Sequence, residues 1–85
     1  MGMSTKPNHA RIYRSVPPFM RQLREKADMT QRDLAEKLNR SQWWVARIET
    51  GSRRIDIAEF IEFCQGCGME PEKALRQLRE QRMTA

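Results

Sequence analysis

The chain has 85 residues, of which 39% are hydrophobic and 32% are charged. A chain of this length forms one domain with a small core, and its apolar content is too high for a disordered protein. Every apolar run is shorter than the roughly 18 residues of a membrane span, so we expect a cytoplasmic protein. A small core gives marginal stability, which favours association with a second chain.

The positive charge is concentrated in the N-terminal part of the chain. Residues 1–55 contain twelve lysines and arginines against five acidic residues, whereas residues 56–85 contain four against six. A positive region attracts polyanions, but RNA, acidic proteins and anionic lipid surfaces would be attracted as well as DNA. Charge alone therefore indicates an anionic partner without identifying it.

Five helices are predicted after a basic arm. Residues 1–15 lack apolar periodicity and are predicted to form a flexible arm, whereas residues 16–85 form the folded domain. Proline placement, capping residues and apolar spacing give the helix positions. The predicted helices are residues 18–27, 31–38 and 42–50, a fourth that Asp56 caps and that Gly66 and Gly68 end, and a fifth from Pro71. No segment alternates as a strand would, so the domain is all-α.

Apolar spacing also predicts which residues of the last two helices face the core. In the fourth helix, Ile57, Phe60, Ile61 and Cys64 recur at helical spacing. In the fifth, the residues expected to be buried are Ala74, Leu75 and Leu78.

The second and third predicted helices are joined by a very short connection. Thr30 and Asp33 form a capping box at the start of the second helix, and Ser41 can cap the third. Asn39 tolerates the left-handed conformation that ends a helix. Two short helices joined by about three residues cannot lie antiparallel and must cross steeply, which is the helix-turn-helix geometry.

The segment from Met29 to Gly51 resembles the motif of the phage repressor and Cro family, also called the xenobiotic response element (XRE) family. The similarity extends over about residues 19–75, and the agreeing positions are Thr30, Gln31, Leu34, Ala35, Leu38, Ser41, Val45, Ile48, Glu49 and Gly51. This chain departs from the family at Asn39, where glycine is usual, and at Arg40, where an apolar residue is usual. The resemblance implies a compact five-helix, lambda-repressor-like DNA-binding domain.

Outward-facing residues of the third helix are predicted to contact base edges. At about 100° per residue, Trp43 and Thr50 point away from the apolar face, and Arg47 also points outward. Gln42 lies at the N-terminal end, which a helix in the major groove brings to the bases. Arg47 is suited to guanine, Gln42 to adenine and Trp43 to a thymine methyl group. Alternatively, Gln42 and Arg47 are merely solvated and Trp43 contacts a partner protein.

The residues predicted to contact the phosphate backbone are Gln31, Arg40, Trp44, Arg53 and Arg54. Gln31 opens the second helix, where the dipole favours a phosphate, and the resemblance implies the same contact. The family places the loop that contains Arg53 and Arg54 along the backbone. For Trp44, packing over the second helix is an equal alternative to an indole bond to phosphate.

Arg24 and Glu49 are assigned to structure. The resemblance implies that they form an internal ion pair linking the first helix to the third. Such a pair would neutralise a carboxylate on a helix that approaches phosphate.

No residues are assigned to catalysis, to a metal or to a cofactor. Cys64 and Cys67 are interpreted as packing residues, because a zinc site needs four ligands and His9 is distant in the sequence. Metal binding at a site shared by two chains, or redox sensing, is the alternative for these cysteines. No nucleophile, base and orienting group come together, so we expect no enzyme activity and no small-molecule ligand.

The sequence therefore predicts a sequence-specific transcriptional regulator that binds an inverted-repeat operator in double-stranded DNA as a homodimer. The fifth helix is the expected dimer surface, and a phage, mobile-element, restriction–modification or toxin–antitoxin locus is the expected setting. The alternative is a protein-interaction module, such as an anti-activator, that uses exposed Trp43 and Trp44. RNA binding is less compatible, because the deep major groove of RNA excludes a helix. The basic arm either follows the duplex or makes no contact.

Overall fold

The computed structural model describes residues 11–84, with side chains described for residues 11–81. It contains five α-helices in this part of the chain: α1 (Val16–Lys26), α2 (Gln31–Leu38), α3 (Gln42–Thr50), α4 (Ile57–Gly66) and α5 (Pro71–Thr84). Residues 11–84 contain no strand, and none of their helices has the length and apolarity to cross a membrane. The all-α, five-helix prediction is confirmed.

α1 begins two residues before the predicted position. Pro17 and Pro18 lie in its first turn, where an absent backbone N–H removes no helical hydrogen bond. Residues 11–13 are also helical, and the hydroxyl oxygen of Tyr13 accepts a hydrogen bond of 2.9 Å from the backbone N–H of Ile55. The last residues of the predicted arm are therefore packed on the domain. Residues 1–10 lie outside the described part of the chain.

The predicted caps of α2 and α3 are present. The Asp33 backbone N–H donates to Thr30 Oγ1 at 3.0 Å, and the Thr30 N–H donates to Asp33 Oδ2 at 2.9 Å. Asn39 has a φ of 56° and ends α2 in the left-handed conformation. Ser41 Oγ accepts from the Trp44 backbone N–H at 3.1 Å and caps α3. These local bonds fix the short turn between the two helices.

The core lies between the helices and is formed by aliphatic, aromatic and sulfur-containing side chains. The largest fully buried side chains are Phe63, Met20, Leu34, Ile48, Val45 and Cys64. Gly66 allows the end of α4 to approach α2 closely, since a Cβ atom there would lie 2.8 Å from side-chain atoms of both Leu34 and Leu38. Gly66 is thus a close-packing residue within α4, and the chain reverses at Gly68, whose φ is 73°.

Three apolar residues expected in the core are exposed instead. Ile57 and Ile61 lie on the outer face of α4, whose inner face is formed by Phe60, Phe63 and Cys64. In α5, Ala74 is buried and Leu78 is half-buried, but the side chain of Leu75 is 51% exposed. The prediction that Leu75 is buried was wrong. Helical spacing identifies an apolar face, whereas the width of the stripe that is covered depends on the neighbouring helices.

Candidate nucleic-acid interface

One side of α3 is embedded in the domain and the other is open. Val45 and Ile48 are fully buried against α2, where Leu34 is also fully buried and the small side chain of Ala35 permits close approach. The turn is held by the backbone N–H of Arg40, which donates to the Ala35 carbonyl oxygen at 2.8 Å. This packing fixes which side chains of α3 point outward.

The open side of α3 presents all four of the residues predicted to contact bases. Gln42, Trp43, Arg47 and Thr50 are exposed, and the Trp43 side chain is 69% exposed. The Thr50 hydroxyl donates to the Arg47 carbonyl oxygen at 3.3 Å and lies 3.2 Å from Ser52 Oγ, which links the helix to the next loop. The face therefore offers an amide, a guanidinium, a hydroxyl and an aromatic ring. Contact of these groups with DNA bases stays a prediction.

Arg24 and Glu49 form a buried ion pair behind this face. Arg24 Nε and an Nη donate to the two carboxylate oxygens of Glu49 at 2.7 and 3.0 Å, and the other Nη donates to the Met29 carbonyl oxygen at 2.7 Å. The hydrogen bond to Glu49 raises the pKa of Arg24 above its ordinary value. The pair connects α1 to α3 and to the start of α2, so it holds the helix-turn-helix unit on the first helix.

Gln31 is joined to the same carboxylate. Its Nε2 donates to a Glu49 oxygen at 3.0 Å, and its side chain is half-buried. One amide hydrogen remains for the predicted phosphate contact, which stays a prediction. A surface depression adjoins this site and is lined by Arg24, Thr30, Gln31, Arg32 and Gln42.

Arg32 is a candidate phosphate-binding residue that the sequence analysis did not identify. It is exposed in the first turn of α2 and lines the same depression as Gln42. Backbone N–H groups and the positive end of the helix dipole favour an anion at this end of α2. Its position one residue after Gln31 could have indicated this.

Trp44 packs inside the protein, which favours the packing alternative over the predicted phosphate contact. The side chain is 7% exposed, and its Nε1 is buried with no hydrogen-bond partner among the described residues. Its ring lies 6.1 Å from the Phe63 ring between centroids, which places it against α4 rather than over α2 alone. The guanidinium carbon of Arg40 lies 4.3 Å from the Trp44 ring centroid and covers its outer side.

Arg40 and Arg53 were also predicted to contact phosphate, but the structure pairs both with carboxylates of α4. Arg40 Nε and an Nη donate to the two oxygens of Glu62, each at 2.9 Å. Both Nη atoms of Arg53 donate to the two oxygens of Glu59, also at 2.9 Å. The hydrogen bonds from Arg53 lower the pKa of Glu59 to about 2. The sequence contains these charges, but the pairing depends on how α4 packs.

Arg54, also in this loop, stays on the surface and has no carboxylate contact among the described residues. Its guanidinium carbon lies 4.4 Å from the Tyr13 ring centroid, and the residue is exposed. Stacking on an aromatic ring leaves the N–H groups at the guanidinium edge available to an acceptor. The predicted contact of Arg54 with phosphate therefore remains compatible with its geometry.

The two cysteines have the properties of packing residues. Cys64 is fully buried and Cys67 is half-buried. Burial raises the pKa of Cys64 to about 12 and that of Cys67 to about 11, so both are protonated thiols at neutral pH. Within the described residues, no group of three or more histidine, cysteine and acidic side chains is arranged to hold a metal ion.

The arrangement of α2 and α3 has counterparts among known proteins. Residues 19–78 match a family model described as a helix-turn-helix domain. A solved structure described as an XRE-family like protein from Pseudomonas syringae pv. tomato str. DC3000 is 35% identical, with a TM-score of 0.84 over 92% of this chain and 95% of that one. The chain belongs to the XRE family of helix-turn-helix DNA-binding proteins. No protein of curated function matches its sequence.

Membership of the XRE family confirms the resemblance that the residues from Met29 to Gly51 indicated. In this XRE protein, the two residues that depart from the usual pattern have structural explanations. Asn39 adopts the left-handed conformation otherwise supplied by glycine. Arg40 covers the ring of Trp44 and binds Glu62 of α4.

Proposed function

We propose that this chain is a transcriptional regulator that reads a short sequence in double-stranded DNA through the open side of α3. The observation that supports this most is the placement of Gln42, Trp43, Arg47 and Thr50 on one exposed face. A helix of this size fits the major groove of B-DNA, where each base pair presents a distinct set of donors and acceptors.

The four residues have complementary roles in this proposal. Arg47 donates two hydrogen bonds to guanine O6 and N7, and Gln42 pairs with adenine N6 and N7. Trp43 packs its exposed ring on a thymine methyl group, and Thr50 bonds a base edge near the C-terminal end of the helix. Each bidentate pair contributes about 1 to 3 kcal/mol of discrimination between bases.

Phosphate contacts on either side of α3 would fix its position in the groove. Gln31 and Arg32 at the start of α2 form one side of this proposed contact, and Arg54 in the loop after α3 forms the other. These contacts position the protein without distinguishing sequences. They would also make binding sensitive to salt, because each phosphate contact releases counterions.

We further propose that the chain binds DNA as a homodimer through α5. An apolar groove lies between α5 and the residues before and at the start of α1, and its apolar lining consists of Ile12, Val16, Leu75 and Leu78. Glu72, Arg76 and Arg79 also line it and provide charges of both signs for a two-fold partner. A dimer would read an inverted repeat, and occupation of that site would exclude other proteins, so repression is the proposed outcome.

The test is selection of duplexes from a random pool by the full chain, followed by sequencing. An enriched inverted repeat with half-sites about 10 base pairs apart would support a sequence-reading dimer. Arg47→Ala should relax the preference at one position of each half-site. Lys73→Ala, which removes an exposed positive charge from α5, is the matched control and should preserve that preference.

Salt-sensitive binding without enrichment would contradict sequence reading. Absence of binding would favour the second candidate, a protein-interaction module that uses Trp43. The exposure of Trp43 supports that candidate, whereas the burial of Trp44 removes the second tryptophan on which it was first based.

A further inference from the structure

Two arginine–carboxylate pairs lie on the same side of α4. Glu59 and Glu62 are three residues apart and therefore occupy neighbouring positions on the helix surface. Glu59 binds Arg53, and Glu62 binds Arg40, with all four donor–acceptor distances at 2.9 Å. The two pairs influence each other electrostatically, since the pKa of Arg40 is raised by its hydrogen bond to Glu62 and also by the charge of Glu59. The four residues therefore lie close enough for their charges to interact.

This group joins both ends of α3 to α4. Arg40 lies in the turn two residues before α3 begins, and Arg53 lies three residues after it ends. Both arginines are thus beside the helix that we propose enters the major groove. In an arrangement with α3 in the groove, we expect the turn before α3 and the loop after it to lie beside the phosphate backbone.

The carboxylates occupy the sites on the arginines that a phosphate would use. A guanidinium binds a carboxylate or a phosphate with the same two parallel hydrogen bonds, and each pair here already has that bidentate form. The side chains of Arg40 and Arg53 are 34% and 37% exposed, so solvent and an incoming anion can reach them. The low pKa of Glu59 keeps its carboxylate ionised throughout the neutral range.

We propose that Glu59 and Glu62 withhold Arg53 and Arg40 from the DNA backbone and thereby limit the affinity of this protein for any duplex. This inference rests on the proposed function, because it concerns the same surface. With two arginines paired internally, fewer phosphates are neutralised, and the base contacts of α3 supply a larger share of the binding free energy. The two glutamates are therefore residues that set the balance between backbone binding and sequence reading.

The test measures binding of the full chain to a random-sequence duplex by fluorescence anisotropy at several salt concentrations. Glu62→Gln and Glu59→Gln remove the charge while keeping the shape of the side chain. In Glu59→Gln, the amide oxygen can still accept the backbone hydrogen bond from Asp56 in the capping box. A melting measurement on each variant confirms that the fold is retained.

Each substitution should tighten binding about two- to fivefold, which is the range expected for removing an exposed ion pair that competes with phosphate. The slope of log Kd against log salt should steepen by up to about 0.9 for each released arginine. Glu36→Gln is the matched control, because it makes the same charge change at an exposed residue of α2 that has no ion pair in the described part of the chain. It should leave the slope unchanged and alter Kd less than the paired glutamates do.

A double-mutant cycle assigns the effect to the arginine. Glu62→Gln should have no effect on duplex binding when Arg40 is already replaced by alanine. Unchanged or weaker binding by the single glutamine variants, or an unchanged salt slope, would overturn the inference while leaving the proposed function intact. Failure of the wild-type chain to bind either the selected operator or a random duplex would overturn both.

Discussion

Arg24 and Glu49 are 25 positions apart in the sequence, and two hydrogen bonds of 2.7 and 3.0 Å join their side chains in the interior. Arg24 belongs to α1 and Glu49 to α3, so the pair fixes the position of α1 relative to the helix that carries the proposed base-reading face. Glu49 also accepts a bond from Gln31 of α2. One carboxylate thus ties together three helices, and it does so directly behind the residues proposed to read DNA.

Replacing Arg24 by alanine should lower both stability and DNA binding. Removing one partner leaves the Glu49 carboxylate buried without its counter-charge, which typically costs about 3 to 5 kcal/mol. Urea unfolding of the two chains measures this difference. Arg21→Ala is the control, since the Arg21–Glu25 pair is exposed and spaced i, i+4, and its loss should cost less than about 1 kcal/mol. Equal unfolding free energies of wild type and Arg24→Ala in urea would rule out the structural assignment.

Replacing Trp43 by alanine should weaken operator binding and leave the fold intact. The side chain is exposed in the free protein, so the free energy of unfolding should change by less than about 0.5 kcal/mol. Loss of the apolar area buried on a thymine methyl group should weaken operator binding by about 1 to 2 kcal/mol. Ile57→Ala provides a control of equal exposure on α4 and should alter neither quantity. Operator binding by Trp43→Ala at wild-type strength would exclude this tryptophan from the interface.

Replacing Trp44 by phenylalanine should be close to neutral for stability. Phenylalanine is smaller than tryptophan, so the substitution loses part of the packing in the core. It also removes a buried indole N–H that has no acceptor in the described residues. Leaving such a donor unsatisfied costs about 1 to 3 kcal/mol, so the two effects offset each other. Trp44→Ala, which loses the packing against Phe63 and Arg40, should cost about 3 to 5 kcal/mol. Chemical denaturation measures the unfolding free energy of both variants. If the two substitutions lowered it equally, the loss of packing in Trp44→Phe would not be offset by removal of the unsatisfied N–H.

The Glu59–Arg53 pair should make stability depend on pH in the acid range. The pKa of Glu59 is about 2 in the folded protein, below its ordinary value of 4.5, so ionised Glu59 stabilises the fold above pH 4.5. This contribution is lost as the pH falls from 4.5 toward 2. The difference in unfolding free energy between wild type and Glu59→Gln should therefore be constant near neutrality and shrink below pH 4.5. With Arg53 replaced by alanine, most of this pH dependence should disappear.

The local features of the helix-turn-helix unit could be predicted from the sequence because they depend on near neighbours. The capping box of Thr30 and Asp33, the left-handed Asn39 and the outward direction of Trp43 all follow from residues within a few positions of one another. Backbone hydrogen bonds and helical periodicity determine such features before any tertiary contact forms. The bounds of α2 and α3 were accordingly predicted without error.

The pairing of long side chains could not be predicted in the same way. Arg40 and Glu62 are separated by 22 positions, and their contact exists because the end of α4 packs beside the turn after α2. Trp44 lies at the edge of the buried face of α3, where periodicity alone does not decide between core and surface. For the same reason Leu75, next to the buried Ala74, was assigned to the core although its side chain lies at an uncovered groove.

The absence of a side chain at position 66 also has an electrostatic consequence. Gly66 lies one helical turn after Glu62 and allows α4 to approach Leu38 at the end of α2, two residues before Arg40. A methyl group at this position would lie 2.8 Å from the side-chain ends of Leu34 and Leu38, so these side chains or the helix that carries them would have to shift. Such a shift would change the distance between the carboxylate of Glu62 and the guanidinium of Arg40 and weaken their hydrogen bonds. An uncharged substitution in the interior would thus alter how strongly the outer surface attracts a polyanion.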